Sequence, residues 1–416
     1  MNISDLYEKR QDYFLKPSAT ARNIVFAAIG LGAIILGLGA FQTELTRFWG
    51  ALLFNVFFFF SIALGGVALG GMQDIIGATW GRPIRRIHEG FGAFLPVSGV
   101  LMILFLIAIR FDLLGGGAVY TWVKDPGIVE HFWGKNVWLQ PDFMVIQDVL
   151  AIIVILVLAR WQVAAGLKRD QAFIDGDRQQ ADAMGEDVRV AQRYWSAPIL
   201  FVYAVCYSLL GFDLLMSLSP LWFSTLWGGW LFAIMMQTLM ATSLIVMFWL
   251  RSTPLGSVYQ RQQFHDVGKL MHGFTVFFAY LTYAHILTYW YGNVPEETEY
   301  FIHRLHGPWF YIVTIAPFFN FVIPLFALIF KAAKWTAQVT IPLSLSILVA
   351  QWFTYMLVVQ PETVRSGGMF IPWVELGGLL LVWGLFMFSF IKFGQKNPML
   401  GFGDPLLTES LAGDHH

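Results

Sequence analysis

The sequence has little of what a soluble protein or a metalloprotein needs. Only 13% of its 416 residues are charged, and its single cysteine, Cys206, lies inside an apolar run. One thiol cannot build a disulfide framework, a thiolate-bound metal site or an iron–sulfur cluster. A formal charge of −1 offers no clustered basic surface for nucleic acid. These shortages exclude several large classes of protein and direct attention to the apolar residues.

Apolar residues make up 57% of the chain, with 39 Phe and 17 Trp. A helix that spans a membrane needs roughly 20 apolar residues. Ten segments meet this requirement: 23–41, 49–72, 91–110, 143–166, 196–219, 226–250, 267–291, 308–331, 338–360 and 371–393. The sequence therefore predicts an all-α integral membrane protein with ten transmembrane helices.

The distribution of Lys and Arg predicts the orientation of these helices. With the N-terminus in the cytoplasm, the loops on that side carry 20 of the 26 Lys and Arg residues. Loops rich in positive charge stay inside, so we expect both termini in the cytoplasm. The first segment follows a mixed-charge stretch and is long enough to span, which favours a retained anchor over a cleaved signal peptide.

A short internal similarity indicates two related halves. The sequence IHEGFGAF at 87–94 resembles MHGFTVFF at 271–278. We therefore expect one membrane domain, residues 1–416, built from two four-helix bundles with helices 1 and 10 at the periphery. The bundles would contain helices 2–5, about 49–219, and helices 6–9, about 226–360.

Prolines and aromatic residues predict local features. Each proline inside a helix frees a carbonyl about one turn earlier, and the resulting kink either opens a cavity or only shapes packing. The prolines are Pro96, Pro317, Pro324 and Pro342, and the carbonyls are near Gly92, Val313, Asn320 and Gln338. The outer loop 111–142 predicts an interfacial flap with an aromatic belt formed by Trp122, Trp133 and Trp138.

Ionisable groups inside a bilayer cost about 2.5 to 3.5 kcal/mol each, so they mark a pathway or a buried pair. The cytoplasmic layer contains Asp74, His88, Glu89, His265, Asp266, Lys269 and His272. The outer layer contains Arg110, Asp112, Asp148, Asp213, His285 and Glu375. Neutral polar residues lie between them: Tyr203, Gln237, Tyr280, Tyr283, Asn320 and Gln351. Two half-channels joined by hydroxyls, amides and water would show this pattern, and so would a large bundle that hydrogen-bonds across its core.

Depth and spacing favour some of these residues. Asp148, Asp213 and His285 lie several residues inside their helices, where a carboxyl or imidazole group can hold or pass a proton near neutral pH. His265 and Lys269, at i and i+4, share a helical face with His272, at i+7. The alternative is that polar helix ends reach water and that the deeper groups form interhelical hydrogen bonds. A haem between facing histidines would need His88 and His272.

One segment resembles a known family. Residues 264–310 read FHDVGKLMHGFTVFFAYLTYAHILTYWYGNVPEETEYFIHRLHGPWF. The features are His265-Asp266 and Gly268-Lys269 opening a helix, the helix end WYGN, the loop Val294–Thr298, and His303-Arg304. This segment resembles the ActF membrane subunits of alternative complex III, a bacterial complex that acts as a quinol:electron-acceptor oxidoreductase. They belong to the NrfD-like (polysulfide reductase membrane-subunit) superfamily.

The resemblance implies a cofactor-free subunit of the bacterial inner (cytoplasmic) membrane that contributes a proton-conducting path and a quinone or menaquinone pocket. It implies three kinds of partner: a larger NrfD-like paralogue, an iron–sulfur and molybdopterin-like subunit, and cytochrome c subunits carrying haem c. It also assigns the proton entrance to His265, Asp266, Lys269 and His272. A quinone site needs a proton-donating group such as histidine beside a carboxylate, whereas the third helix ends in Arg110 and Asp112.

Two other functions suit the same sequence. A proton-coupled secondary transporter also has repeats, broken helices and buried carboxylates. A structural scaffold for the helices of partner subunits would need no polar path.

Overall fold

Ten long helices dominate the computed structural model, which describes residues 8–130, 134–175, 178–364 and 371–412. Each is long and apolar enough to cross a membrane. They are α1 Ala19–Gln42, α2 Leu45–Ile76, α3 Arg82–Arg110, α4 Pro141–Ile174, α5 Arg178–Leu214, α6 Trp227–Leu250, α7 Arg261–Gly292, α8 Trp309–Ala327, α9 Ala337–Thr363 and α10 Trp373–Lys396. The prediction of an all-α protein with ten membrane-spanning helices is confirmed.

Short helical elements occupy the connections. The 3₁₀ segments are Arg10–Tyr13, Leu113–Val119, Met216–Leu218, Pro254–Ser257 and Ala332–Lys334. The short α-helices are Thr121–Lys124, Gly127–Glu130, Lys135–Trp138, Pro295–Arg304 and Pro405–Ala412. We call the end at which α1 begins the inner end and the opposite end the outer end. Because successive long helices run in opposite directions, all odd-numbered helices begin at the inner end.

Helix contacts form two closed rings of four. In the first bundle α2 packs on α3, α3 on α4, α4 on α5, and α5 back on α2. The second bundle repeats this order with α6, α7, α8 and α9. The helix α2 also contacts α6, α9 and α10, and 94% of its apolar window is buried. It is therefore the central helix of the molecule, and the paired bundles agree with the predicted architecture.

Proline accounts for two breaks in these helices. The helix α3 breaks between Gly92 and Leu95, just before Pro96. In α8 a π-helical turn, Phe318–Val322, lies between Pro317 and Pro324. Because Pro324 has no N–H, the carbonyl of Asn320 is available to another donor. It accepts a hydrogen bond from Nε2 of Gln237 on α6 at 2.8 Å, so the predicted free carbonyl is confirmed here.

The peripheral helices α1 and α10 pack together through glycines. A Cβ on Gly32 would lie 2.3 Å from the backbone nitrogen of Leu381, and one on Gly377 would lie 2.5 Å from Cγ2 of Ile35. Such distances leave no room for a side chain. Small residues therefore let the two backbones approach, as is common between membrane helices.

We predict that Gly32→Ala destabilises the protein by about 1 to 3 kcal/mol, because the added methyl group forces α1 away from α10. Gly37→Ala is the matched control, since a Cβ there meets nothing within 4 Å. Thermal unfolding in detergent measures both variants. Equal melting temperatures for the two would show that the α1–α10 contact is not tight.

Candidate functional site

Two carboxyl groups meet near the outer end of the first bundle. Asp148 on α4 and Asp213 on α5 are 0% and 1% exposed, and their side chains interact with each other. Asp213 accepts hydrogen bonds from Nε1 of Trp138 at 2.7 Å and from Nε2 of Gln147 at 2.6 Å. Neither carboxyl oxygen of Asp148 has a hydrogen-bond donor in the described part of the chain. Since ionised carboxylates only accept hydrogen bonds, this pair is satisfied when one member carries a proton.

The outer loop covers this pair. Tyr120 is fully buried, and its hydroxyl donates to the carbonyl of Leu214 at 2.8 Å. Its pKa is raised well above its usual value, first by burial and then by the nearby charges of Asp148 and Asp213. Trp122 is buried too and donates to the carbonyl of Ser217, so the prediction that it belongs to an interfacial belt is wrong. Trp138 is partly exposed, and Trp133 lies outside the described residues.

A cluster of three hydroxyl groups lies below the carboxyl pair, where α2, α5 and α9 meet. Ser61 Oγ is 2.9 Å from the hydroxyl of Tyr207 and 3.2 Å from that of Tyr355. Tyr207 precedes Asp213 by six residues on α5, which corresponds to about 9 Å along the helix. Sequence reasoning missed this cluster because single Ser and Tyr residues are common in bundle cores. One turn of helix further in, the hydroxyl of Tyr203 donates to Gln162 at 3.2 Å.

Amide groups fill the centre of the second bundle. Gln237 Nε2 donates to Oγ1 of Thr275 at 2.9 Å as well as to the carbonyl of Asn320, and Gln351 Nε2 donates to Gln237 Oε1 at 2.5 Å. Asn320 Oδ1 and Gln351 Oε1 have no partner among the described residues, although both side chains are buried. Unpartnered buried acceptors are the groups that ordered water satisfies. The predicted central residues Gln237, Asn320 and Gln351 therefore form one cluster.

Tyr280 and Tyr283 do not belong to this centre. They are 62% and 60% exposed on the outward face of α7. The inward stripe of α7 contains Thr275, Phe278, Leu281 and His285, and its helical period turns both tyrosines away. Their assignment to a central polar path is corrected.

His285 lies apart from the carboxyl pair. It is buried in the second bundle, where its ring packs against Trp230 of α6 at 6.1 Å between ring centres. Its Nε2 atom has no hydrogen-bond partner in the described ranges. Since Asp148 and Asp213 are in the first bundle, the predicted outer layer is divided between two places.

The inner end of α7 carries a group of basic side chains around Lys334. Lys334 lies close enough to His265 and His272 for its charge to disfavour their protonation. Lys269 in turn lies close enough to disfavour the protonation of Lys334. Asp266 is the acidic member: it accepts from Lys269 Nζ at 2.7 Å and from Gln262 at 3.1 Å. Burial lowers the pKa of Lys334, and the charges of Lys269 and Lys331 lower it further. His265, Lys269 and His272 lie on the same helix, as their spacing requires, and we call these residues with Lys331 and Lys334 the α7 basic cluster. Their role as a proton entrance stays a prediction.

A second cluster of charges lies at the inner end of the first bundle. Four guanidinium groups and four carboxylates are buried there and form successive ion pairs. The members of this arginine–carboxylate network are Arg82, Arg85, Arg86 and Arg169 with Asp74, Glu89, Asp170 and Asp404. Sequence reasoning named Asp74 and Glu89 but missed the others, which are distant in the chain.

Asp74 and Glu89, which the sequence placed on a proton path, are both bound by arginines of this network. Asp74 accepts from Arg82 at 3.0 Å and from both terminal nitrogens of Arg85, and Glu89 accepts from Arg85 at 2.8 Å and from Arg86. Carboxylates held in this way are structural ion pairs, so the structure favours that alternative over a proton path. His88 points elsewhere: its Nε2 lies 3.1 Å from Ser243 Oγ on α6.

The remaining outer candidates are also paired. Arg110 forms an exposed ion pair with Asp142, and Asp112 forms one with Lys124. Glu375 is fully buried, and its two oxygens accept from Arg47 at 2.9 Å each. A further bond comes from Gln360 at 2.9 Å. Arg110, Asp112 and Glu375 therefore each have an oppositely charged partner of their own, and none of them pairs with Asp148 or Asp213.

These features define a multi-pass helical membrane protein with two polar ends and a polar interior. No family model matches the chain, and no curated protein matches it.

We predict that Asp404→Asn loosens the short helix Pro405–Ala412. Burial raises the pKa of Asp404, but the charges of Arg169, Arg82 and Arg85 outweigh this effect, so the pKa lies below its usual 3.8. The ion pairs of Asp404 therefore contribute at every pH above about 4 and are lost as the pH falls further. Limited proteolysis of the C-terminal segment should be slow in the wild type from pH 8 to pH 5 and faster in Asp404→Asn throughout that range.

The matched control is Glu409→Gln, an exposed carboxylate in the same segment. If this variant were cleaved as fast as Asp404→Asn, the buried network would not be what holds the segment.

Proposed function

We propose that this chain is a cofactor-free, proton-conducting membrane subunit of a quinol-oxidising respiratory complex in the bacterial inner membrane. The observation that carries the proton role is the Asp148–Asp213 pair. The other buried carboxylates of the described residues contact a Lys or Arg side chain: Asp74, Glu89, Asp170, Asp266, Glu375 and Asp404. Asp148 and Asp213 have only each other and neutral donors, so a proton is the cation that neutralises them.

The polar groups between the two ends support a route that crosses from the second bundle to the first. It begins at the α7 basic cluster and reaches the amide cluster through Thr275, three residues after His272. On α9, Gln351 of the amide cluster and Tyr355 of the hydroxyl cluster are four residues apart and share one face. From Tyr207 the route continues about 9 Å along α5 to Asp213.

The gaps along this route need water or side-chain rotation. The unpartnered atoms along it are Nδ1 of His272, which precedes Thr275 by three residues on α7, and Oδ1 of Asn320 and Oε1 of Gln351 in the amide cluster. Each is a hydrogen-bonding position for a bridging water molecule. The route bypasses the arginine–carboxylate network, whose carboxylates are held by guanidinium groups.

Membership of a quinol-oxidising complex is supported by the 264–310 segment. Its inner part supplies His265, Lys269 and His272 of the basic cluster. At its outer end Trp290 and Tyr291 are 74% and 81% exposed, an aromatic surface suited to a partner subunit. Arg110 and Asp112, at the outer end of α3, form ion pairs at the surface. We therefore propose that they do not form a quinol site, that this chain conducts protons and that a partner subunit oxidises the quinol.

We predict that Asp148→Asn and Asp213→Asn each reduce coupled proton movement by at least about tenfold, because an amide keeps the volume but cannot pass a proton. Tyr355→Phe should also reduce it by interrupting the hydroxyl cluster. The measurement is the proton-to-electron ratio of the complex in sealed vesicles. Asp142→Asn, which removes an exposed carboxylate of α4, is the control and should leave the ratio unchanged. Wild-type ratios in the Asp148 and Asp213 variants would refute the proposed route.

Copurification tests the complex. We predict that the chain, extracted in mild detergent from its native membrane, carries the absorbance of haem c and of iron–sulfur clusters from its partners. Its own Cys206 cannot supply either. A chain that always ran alone or as a homo-oligomer would favour the proton-coupled transporter instead.

A further inference from the structure

A cavity of about 560 Å³ opens at the inner end of the second bundle, beside the α7 basic cluster. It lies where α6 ends and where α7 and α9 begin. Arg251, Tyr259, Arg261, Phe264, Trp335 and Thr336 are among its lining residues. Its volume is in the range of small-ligand sites. The proton route does not pass through it.

The charge of the lining is positive. Arg251 follows the last residue of α6, and Arg261 is the first residue of α7. Both side chains are exposed, and no carboxylate pairs with either within the described part of the chain. The lining contains no Asp or Glu. Trp335 also contacts His265 of the basic cluster, at 5.8 Å between ring centres. A ligand in this cavity would therefore meet two guanidinium groups and a positive surrounding field.

Two helix N-termini face the same space. The lining includes Gln260 and Arg261 at the start of α7, and Thr336, Ala337 and Gln338 at the start of α9. The α7 start is closed by a capping box between Gln260 and Gln263. The α9 start is different, because the side chain of Thr336 makes no capping bond. Val339 and Thr340 donate their N–H groups to the carbonyl of Thr336, so the N–H groups of Ala337 and Gln338, together with the positive end of a 27-residue helix, are the ones available to an anion.

Tyr259 provides an independent indication of a ligand. Its side chain is 5% exposed, and its hydroxyl is buried without a hydrogen-bond partner among the described residues. A buried hydroxyl without a partner is unfavourable, because it has lost its hydrogen bonds to water and gained none in exchange. Tyr259 also lines the cavity, and although its hydroxyl oxygen has less than 1 Å² of accessible surface, a rotation of the ring toward the cavity would let a bound acceptor oxygen accept from it. Burial also raises the pKa of this phenol, so it remains a donor at neutral pH.

From these features we infer that the cavity binds a phosphate-bearing anion. A phosphate group offers several acceptor oxygens, and arginine binds such groups through two parallel hydrogen bonds. Arg251, Arg261, the Tyr259 hydroxyl and the first turn of α9 together match that demand. Phe264 and Trp335 supply an apolar wall for the part of the ligand that carries the phosphate. The phosphate belongs either to the headgroup of an anionic phospholipid or to a soluble phosphate compound.

The test uses the full-length protein in nanodiscs. One set contains phosphatidylcholine alone, and the other contains phosphatidylcholine with phosphatidylglycerol. Inorganic phosphate is titrated into the first set, against chloride at equal ionic strength. Thermal unfolding reports binding, and native mass spectrometry counts retained phosphatidylglycerol.

The variants separate this cavity from general charge effects. Arg251→Gln combined with Arg261→Gln should weaken binding by at least about tenfold, because each charge-assisted bond contributes about that factor. Tyr259→Phe removes only the hydroxyl and should weaken binding by about threefold to tenfold. Arg22→Gln combined with Arg193→Gln removes two other exposed inner-end arginines and should change nothing.

Each outcome decides the inference. Stabilisation by phosphatidylglycerol that is lost in the Arg251 and Arg261 variant assigns the cavity to a phospholipid headgroup. Stabilisation by inorganic phosphate alone, lost in the same variant, assigns it to a soluble phosphate compound. If neither probe stabilises the wild type, or if the Arg22 and Arg193 control loses binding equally, the inference is overturned.

Discussion

A charge removed from water must meet an opposite charge, and the arginine–carboxylate network shows this requirement at the inner end of the first bundle. One isolated charge there would cost several kcal/mol, and removing one partner of a buried pair leaves that cost exposed. The network balances four guanidinium groups with four carboxylates drawn from α2, α3, α4 and the segment before Pro405–Ala412. Its ion pairs tie the inner ends of α2, α3 and α4 to the segment before Pro405–Ala412 and so fix where these elements lie relative to one another.

The same rule separates fixed carboxylates from those that can exchange a proton. Glu375 and Asp213 both lie at the outer end and are both buried. Glu375 meets the guanidinium group of Arg47, whereas Asp213 meets only neutral donors and a second carboxyl group, that of Asp148. Both side chains are buried carboxylic acids, so it is the partner that decides their chemistry.

The sequence predicts features that depend on composition or covalent structure. Ten apolar segments predict ten helices, and the missing N–H of Pro324 predicts the free carbonyl of Asn320. The sequence does not predict features that depend on contacts between residues distant in the chain. Arg169, Asp170 and Asp404 lie in polar segments where solvent exposure is the ordinary expectation, and only the fold buries them together. Helix α7 is aromatic around most of its circumference, so its pattern could not show that Tyr280 faces outward.

The two inner ends therefore differ in a way that bears on proton movement. Beneath the first bundle every charge of the network is paired, so a proton arriving there would have to break a buried ion pair. Beneath the second bundle Asp266 is the carboxylate set against Lys269, Lys331 and Lys334, which leaves an excess of positive charge. Burial lowers the pKa of Lys334, and this excess lowers it further, because each added cation makes its protonation less favourable. An anion in the adjacent cavity would reduce that repulsion, so the occupancy of the cavity and the protonation of the α7 basic cluster are expected to be linked.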